Sequence, residues 1–166
     1  MSNNDRGSVV VTGLGATTPL GGDVASTWSA MLAGTSGVHR ITEDWAESLP
    51  VKIAAPAVSD PVAAVGRVQA RRMDRCEQLA LVAAREAWAD AGSPTVDPWR
   101  LGVAVTSGIG GIGSTLKAYD TLRDKGWDRI SPYTVPMLIQ PAAPLGISMG
   151  TVYGEIRSQP LSRSVS

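Results

Sequence analysis

The chain predicts an α/β fold. Two compact apolar runs of β-type, Ser8–Thr12 and Leu101–Thr106, each stop at a glycine-rich turn. Segments of helical spacing follow and separate them. The order strand, helix, helix, strand, helix is the alternation expected of α/β proteins.

Ser8–Thr12 carries three consecutive β-branched valines. A run without polar alternation predicts a strand buried on both faces, as in parallel sheets. Gly13, Gly15, Gly21 and Gly22 mark the loop behind it. Asp23 is a suitable N-cap for a helix over Val24–Ala33. Val24, Trp28, Met31 and Leu32 share one face of it, and Gly34 stops it. From Gly37 to Ala70 the periodicity is weak and Pro50, Pro56 and Pro61 interrupt it. That stretch predicts an irregular excursion with a short helix near Val62–Val68. The clearest helix is Arg75–Ala91, opened by a capping-box pair, Asp74 and Glu77, and closed by Gly92 and Pro94. Cys76, Leu79, Ala80, Ala83 and Ala87 lie on one face, and the small alanines there predict close packing. After the Leu101 strand and a glycine loop come a helix over Ser114–Arg123 and a helix-like segment from Ser131 to Ile139.

At 166 residues the chain suits one domain, burying roughly 70% of its unfolded surface. Hydrophobic residues make up 43% and charged residues 18%, a globular composition. Fifteen basic side chains balance fifteen acidic ones, which argues against a nucleic-acid or membrane-surface protein. One cysteine, Cys76, excludes an intramolecular disulfide, and with one histidine, His39, there is no plausible zinc set. His39 reads as a solvated loop residue and Cys76 as an inert small hydrophobe inside a helix. The polar start and short apolar runs suggest neither a signal peptide nor a membrane span, so a cytoplasmic location is expected.

Gly108, Gly110 and Gly113 spell G-x-G-x-x-G between a strand and a helix, the dinucleotide-binding pattern. That reading needs an acidic residue ending a further strand about 20 residues on. Asp120, Asp124 and Asp128 fall in the region, but none follows an apolar run. Nucleotide binding is therefore disfavoured against a tight turn.

The segments taken together carry a resemblance. Val9-Val-Val-Thr-Gly-Leu-Gly-Ala-Thr-Thr-Pro-Leu-Gly21 is followed in order by Ser26-Thr-Trp28, Leu32-Ala-Gly34, Ser36-Gly-Val38 and Arg72-Met-Asp74. Then come Ala89-Asp-Ala-Gly92, Ser107-Gly-Ile-Gly-Gly111 and Ile130-Ser-Pro-Tyr-Thr-Val-Pro136. No single motif is decisive, but their order and spacing over Val9–Ile139 make the set specific. The chain resembles the β-ketoacyl-acyl-carrier-protein synthases, the condensing enzymes of fatty-acid synthesis, and in particular the type II synthase.

The resemblance implies a thiolase-like fold, of which this chain would supply most of the first half of an α-β-α-β-α layered architecture. It implies acyl transfer without a metal or organic cofactor: decarboxylative condensation of an acyl thioester with malonyl-acyl carrier protein. The family's partners would be acyl carrier protein, acyl and malonyl thioesters, and a second copy of the subunit. Ile109 matches the residue that gates the acyl pocket. Thr134 matches a position that reaches the partner subunit's pocket, where the family often has an aromatic. Arg67, Arg71 and Arg72 match loosely the family's basic docking region for the acidic carrier protein. No catalytic residue can be carried over. An ungapped count to the nucleophile lands near Ser164, in Ser162-Arg-Ser-Val-Ser166, without the expected context. Residues 1–139 thus read as the first part of a synthase domain. From Gln140 the pattern changes, so residues 140–166 read as a divergent, disordered tail left by truncation or a shifted frame. On this reading the chain alone is inactive, since losing a nucleophile costs about 10⁶-fold in rate. The alternative is a non-catalytic module for dimerisation or carrier-protein binding. A half-fold also predicts an exposed apolar face, and with it poor solubility or self-association.

Overall fold

A computed structural model describes residues 8–97 and 100–138. The expected tail over residues 140–166 lies outside them.

Helix α1, Val24–Leu32, begins where expected, with Asp23 and Ser26 forming a reciprocal capping box. The excursion behind it holds a small feature without a sequence signal. β1, His39–Arg40, pairs antiparallel with β2, Ile53–Ala54, with His39 opposite Ala54. Strands this short show no periodicity. A 3₁₀ turn, Asp44–Ser48, lies between them. The single short helix expected near Val62–Val68 is two: α2, Pro61–Val65, and α3, Arg67–Ala70. They break at Gly66, where φ is +91°, a conformation open to glycine at little cost. Asp60 caps α2, and Pro61 opens it where no N–H bond is lost.

α4, Arg75–Asp90, is the organising helix, and its box of Asp74 and Glu77 forms as the spacing predicts. Leu81 on its inner face is fully buried. With Val65 and Ala70 it forms a small core against which Met73, Ala80, Val103 and Val105 pack. Gln78 is also buried, and its Nε2 donates to the carbonyls of Ala70 and Met73, each at 3.0 Å. The Ala70 carbonyl, at the end of α3, also accepts the Met73 N–H at 3.2 Å, so Gln78 closes off the turn that leads into α4. α5, Ile112–Lys125, is longer at both ends than its spacing suggests, and α6 is confined to Thr134–Leu138. A 3₁₀ turn, Trp127–Arg129, links them.

The two valine-rich runs correct the expectation of sheet strands. Among the described residues the only sheet is the β1–β2 pair. Ser8–Thr12 and Leu101–Thr106 lie outside helix and strand, without a ladder partner. Ser8–Thr12 is not buried on both faces: Val9, Val10 and Val11 are exposed. The physical reason is that among the described residues no strand pairs with the run to cover it. In the glycine loop behind it, Gly13 and Gly15 press on α4 so closely that a Cβ would run into the carbonyls of Ala87 and Ala83. The alanine face of α4 is thus matched by glycines. Leu101–Thr106 instead alternates, with Val103 and Val105 turned toward the core and Gly102, Ala104 and Thr106 exposed.

Carboxylates on α4 fasten the first segment. Asp90 accepts the Leu14 N–H at 2.9 Å. Glu86 accepts the N–H groups of Ala16 and Val24, each at 2.8 Å, so it also serves the first turn of α1. Between α4 and the two valine-rich segments lies an apolar trough of about 530 Å³, walled by alanines of α4, Trp88 and Val103.

Candidate functional site

Ser107–Gly113, the glycine loop, leads the Leu101 run into α5. Gly110 takes φ +74° and its N–H donates to Ser107 Oγ at 3.1 Å. Gly111 is buried against α6, and a Cβ there would strike the carbonyl of Met137. Glycine is required here by α6, with no phosphate cradle needed to explain it.

Asp74 joins this loop to α4. Its Oδ1 accepts the Cys76 N–H at 3.1 Å. Its Oδ2 accepts the Ser114 hydroxyl at 2.6 Å and the Ser114 N–H at 3.3 Å. Burial works to raise its pKa, but the bonds from Ser114 and Cys76 outweigh burial and hold it below the usual carboxylate value. Glu77 is pushed the other way, chiefly by burial.

Cys76 lies in the first turn of α4 and not in the helix interior as its spacing suggested. A helix N-terminus ordinarily lowers a thiol pKa. Burial, followed by the hydrogen bond and negative charge of Asp74 and the charge of Glu77, pushes this one up to about 11. It is a protonated thiol at neutral pH and a poor nucleophile. His39 sits exposed in β1. Among the described residues no three His, Cys, Asp or Glu side chains converge as metal ligands, and no helix is long and apolar enough to cross a membrane.

The residues singled out by sequence fall into two places. Arg71 and Thr134 line one cavity of about 380 Å³ between α3, α5 and α6. Arg72 stacks over the Tyr133 ring, 5.2 Å from its centroid, a cation–π contact. The arginine cluster and the Ser131-Pro-Tyr-Thr134 motif, distant in sequence, therefore form one surface. Arg67, in the first turn of α3, is exposed and does not line the cavity. Ile109 is 76% exposed at the loop tip and also lies outside it. Sequence reading missed Lys117 and Arg129, which line the cavity with Arg71. Arg129 stands directly before the Ile130-Ser-Pro132 motif, a signal that was available. Lys117, on the face of a helix, offered none.

Residues 6–150 match the family described as Beta-ketoacyl synthase, N-terminal domain. The chain belongs to the β-ketoacyl synthase family. It is 44% identical over 144 residues to 3-oxoacyl-[acyl-carrier-protein] synthase 2 of Staphylococcus aureus strain COL, covering 84% of this chain and 34% of that protein. It is 43% identical over 136 residues to the enzyme of the same name from Coxiella burnetii, covering 80% and 33%. The chain thus spans about a third of the length of these curated relatives. A β-ketoacyl synthase from Burkholderia phymatum superposes with a TM-score of 0.69 at 28% identity, over 86% of this chain and 36% of that one. The ishigamide ketosynthase/chain length factor reaches the same score at 23% identity, covering 86% and 36%, and speaks for the fold alone. The β-ketoacyl synthase segment is therefore a partial thiolase-like α/β fold, as its motif order implied.

Proposed function

We propose that this chain forms part of a 3-oxoacyl-[acyl-carrier-protein] synthase that elongates acyl chains by decarboxylative condensation with malonyl-acyl carrier protein. Its share of that work is binding. Ile109 and the glycine loop wall the acyl pocket, and Thr134 extends toward the pocket of a second copy across a homodimer. Arg67, Arg71 and Arg72 face the acidic carrier protein, joined by Lys117 and Arg129. Residues 1–139 act as this unit, in the cytoplasm, without metal or organic cofactor.

The observation that carries this reading is the meeting of Arg71, Lys117, Arg129 and Thr134 around one cavity, built from segments that match the family in order. Complementary charge raises encounter rates and specificity more than net affinity. The test is binding of the chain to acyl carrier protein at low salt. Paired charge reversal, Arg71→Glu with Arg129→Glu, should weaken binding about tenfold. Added salt should weaken the wild-type complex, since exposed charges are screened beyond about 10 Å at 0.1 M. Salt-insensitive binding, or none, speaks against the docking surface.

A second reading turns on the cysteine. The one cysteine is held as a neutral thiol, at about pKa 11. Cys76 is therefore not the acyl-accepting nucleophile, as expected of a module that binds carrier protein or dimerises and equally of one part of a larger enzyme. Both readings expect carrier-protein binding without condensation by this chain alone, so the discriminating measurement is condensation with the cysteine- and histidine-bearing remainder of a synthase added: turnover selects the first reading, and none selects the second.

A further inference from the structure

Asp74 is 9% exposed, and its carboxylate serves the first turns of two helices. One oxygen bonds the N–H of Cys76 in α4, at 3.1 Å. The other bonds the N–H and hydroxyl of Ser114 in α5, forty residues away in sequence. α5 has no cap of its own: Gly111, the residue before it, carries no side chain. A capping side chain at that position is sterically excluded, because a Cβ there would strike the Met137 carbonyl and lie 3.2 Å from Asp74 Oδ2. The cap is thus supplied from another helix. Orphan N–H groups at a helix start need such a partner, and a charged acceptor near them is favourable.

The loop between Ser107 and Gly113 packs on α6, where Gly111 lies against the Met137 backbone. Its internal bonds include Gly110 N–H to Ser107 Oγ at 3.1 Å and Ile112 N–H to the Gly110 carbonyl at 3.0 Å. Its tip, Ile109, is exposed. The bond between Asp74 and Ser114 ties the end of the loop, where α5 begins, to α4.

We propose that Asp74 is a positioning residue for the glycine loop: by capping α5 as well as α4 it sets where Ile109 stands, and through Ile109 how the acyl chain is admitted. The second half of this statement rests on the acyl-pocket reading given above, and the first half does not.

The experiment uses the whole chain and two readouts. Hydrogen exchange reports loop position, and binding of a fluorescent long-chain fatty acid reports the pocket. Ser114→Ala removes the 2.6 Å bond and leaves the α4 cap intact. It should speed exchange across residues 108–114 about tenfold, the loss expected for one hydrogen bond to a charged group. The amides of Cys76 in α4 and Ser26 in α1 should not change. Fatty-acid affinity should fall by a comparable factor. Ser114→Thr, which keeps the hydroxyl, should restore both, and Asp74→Asn should reproduce the loop effect. Unchanged exchange at 108–114 in Ser114→Ala overturns the proposal, and so does an equal rise at Ser26, which marks general loosening. If the wild-type chain binds no fatty acid, the acyl-pocket reading fails while the exchange result still decides the positioning role.

Discussion

Cys76 stands where a helix N-terminus invites a thiolate, and its neighbours forbid one. The surrounding protein and two carboxylates favour the neutral form. Alkylation by iodoacetamide near neutral pH should therefore be far slower than for an exposed thiol, and should climb as pH approaches about 11. Stability follows the same ionisation. A thiol raised from 9.0 to about 11 contributes stability that is complete below the lower value and lost as pH rises through the upper one. Cys76→Ala should flatten that alkaline limb in urea denaturation. Asp74 acts at the opposite end of the scale. Its lowered pKa stabilises the fold above the ordinary carboxylate range, and that stability is lost as pH falls through the lowered value. Asp74→Ala removes caps from two helices and should cost about 2 kcal/mol at neutral pH, at roughly 1 kcal/mol per cap.

Among the elements, α4 was the most legible. Asp74, Glu77 and Gly92 bracket it in the sequence, and local capping chemistry needs no tertiary partner to be read. α1 was legible for the same reason. The break between α2 and α3 was not, because one glycine inside an alanine-rich run does not announce a positive φ. The valine runs misled because β-branched composition reports a preference for extended backbone, whereas burial depends on which neighbours are present. Likewise the arginine cluster could be seen in sequence, but Lys117 and Arg129 could not be joined to it without the packing of α5 and α6. Close approach to α4 was hidden in Gly13 and Gly15, read simply as loop markers. Gly15→Val should cost about 3 kcal/mol, typical of severe overpacking, because its Cβ would meet the Ala83 carbonyl. Gly108→Ala, which meets nothing within 4 Å, should be close to neutral. Thermal melts of the pair would settle the contrast.

At the level of the whole molecule, the buried core is small beside the apolar surface left in water. Val9 is fully exposed, and Val10, Val11, Trp127 and Ile109 are largely so. Backbone without a ladder partner is itself a template for pairing with another chain. The isolated chain should bind a hydrophobic dye such as ANS and should self-associate with rising concentration. Val9→Lys with Val11→Lys should reduce both, read by light scattering and sedimentation. A monomer that unfolds in one cooperative step and ignores the dye would count against this picture.

The fastening of the first glycine loop to α4 has one more consequence. Glu86 and Asp90 are one helical turn apart, as are Ala83 and Ala87, so acceptors and small side chains repeat with the same step along the helix. The loop presents a matching pair of amides, Leu14 and Ala16, between its glycines. Such a pairing behaves like a vernier. Sliding the loop by a turn in either direction brings one amide opposite Val82 or Pro94, neither of which offers a side-chain acceptor. Only the observed alignment gives both amides a carboxylate, so these two bonds fix the register of the loop along α4.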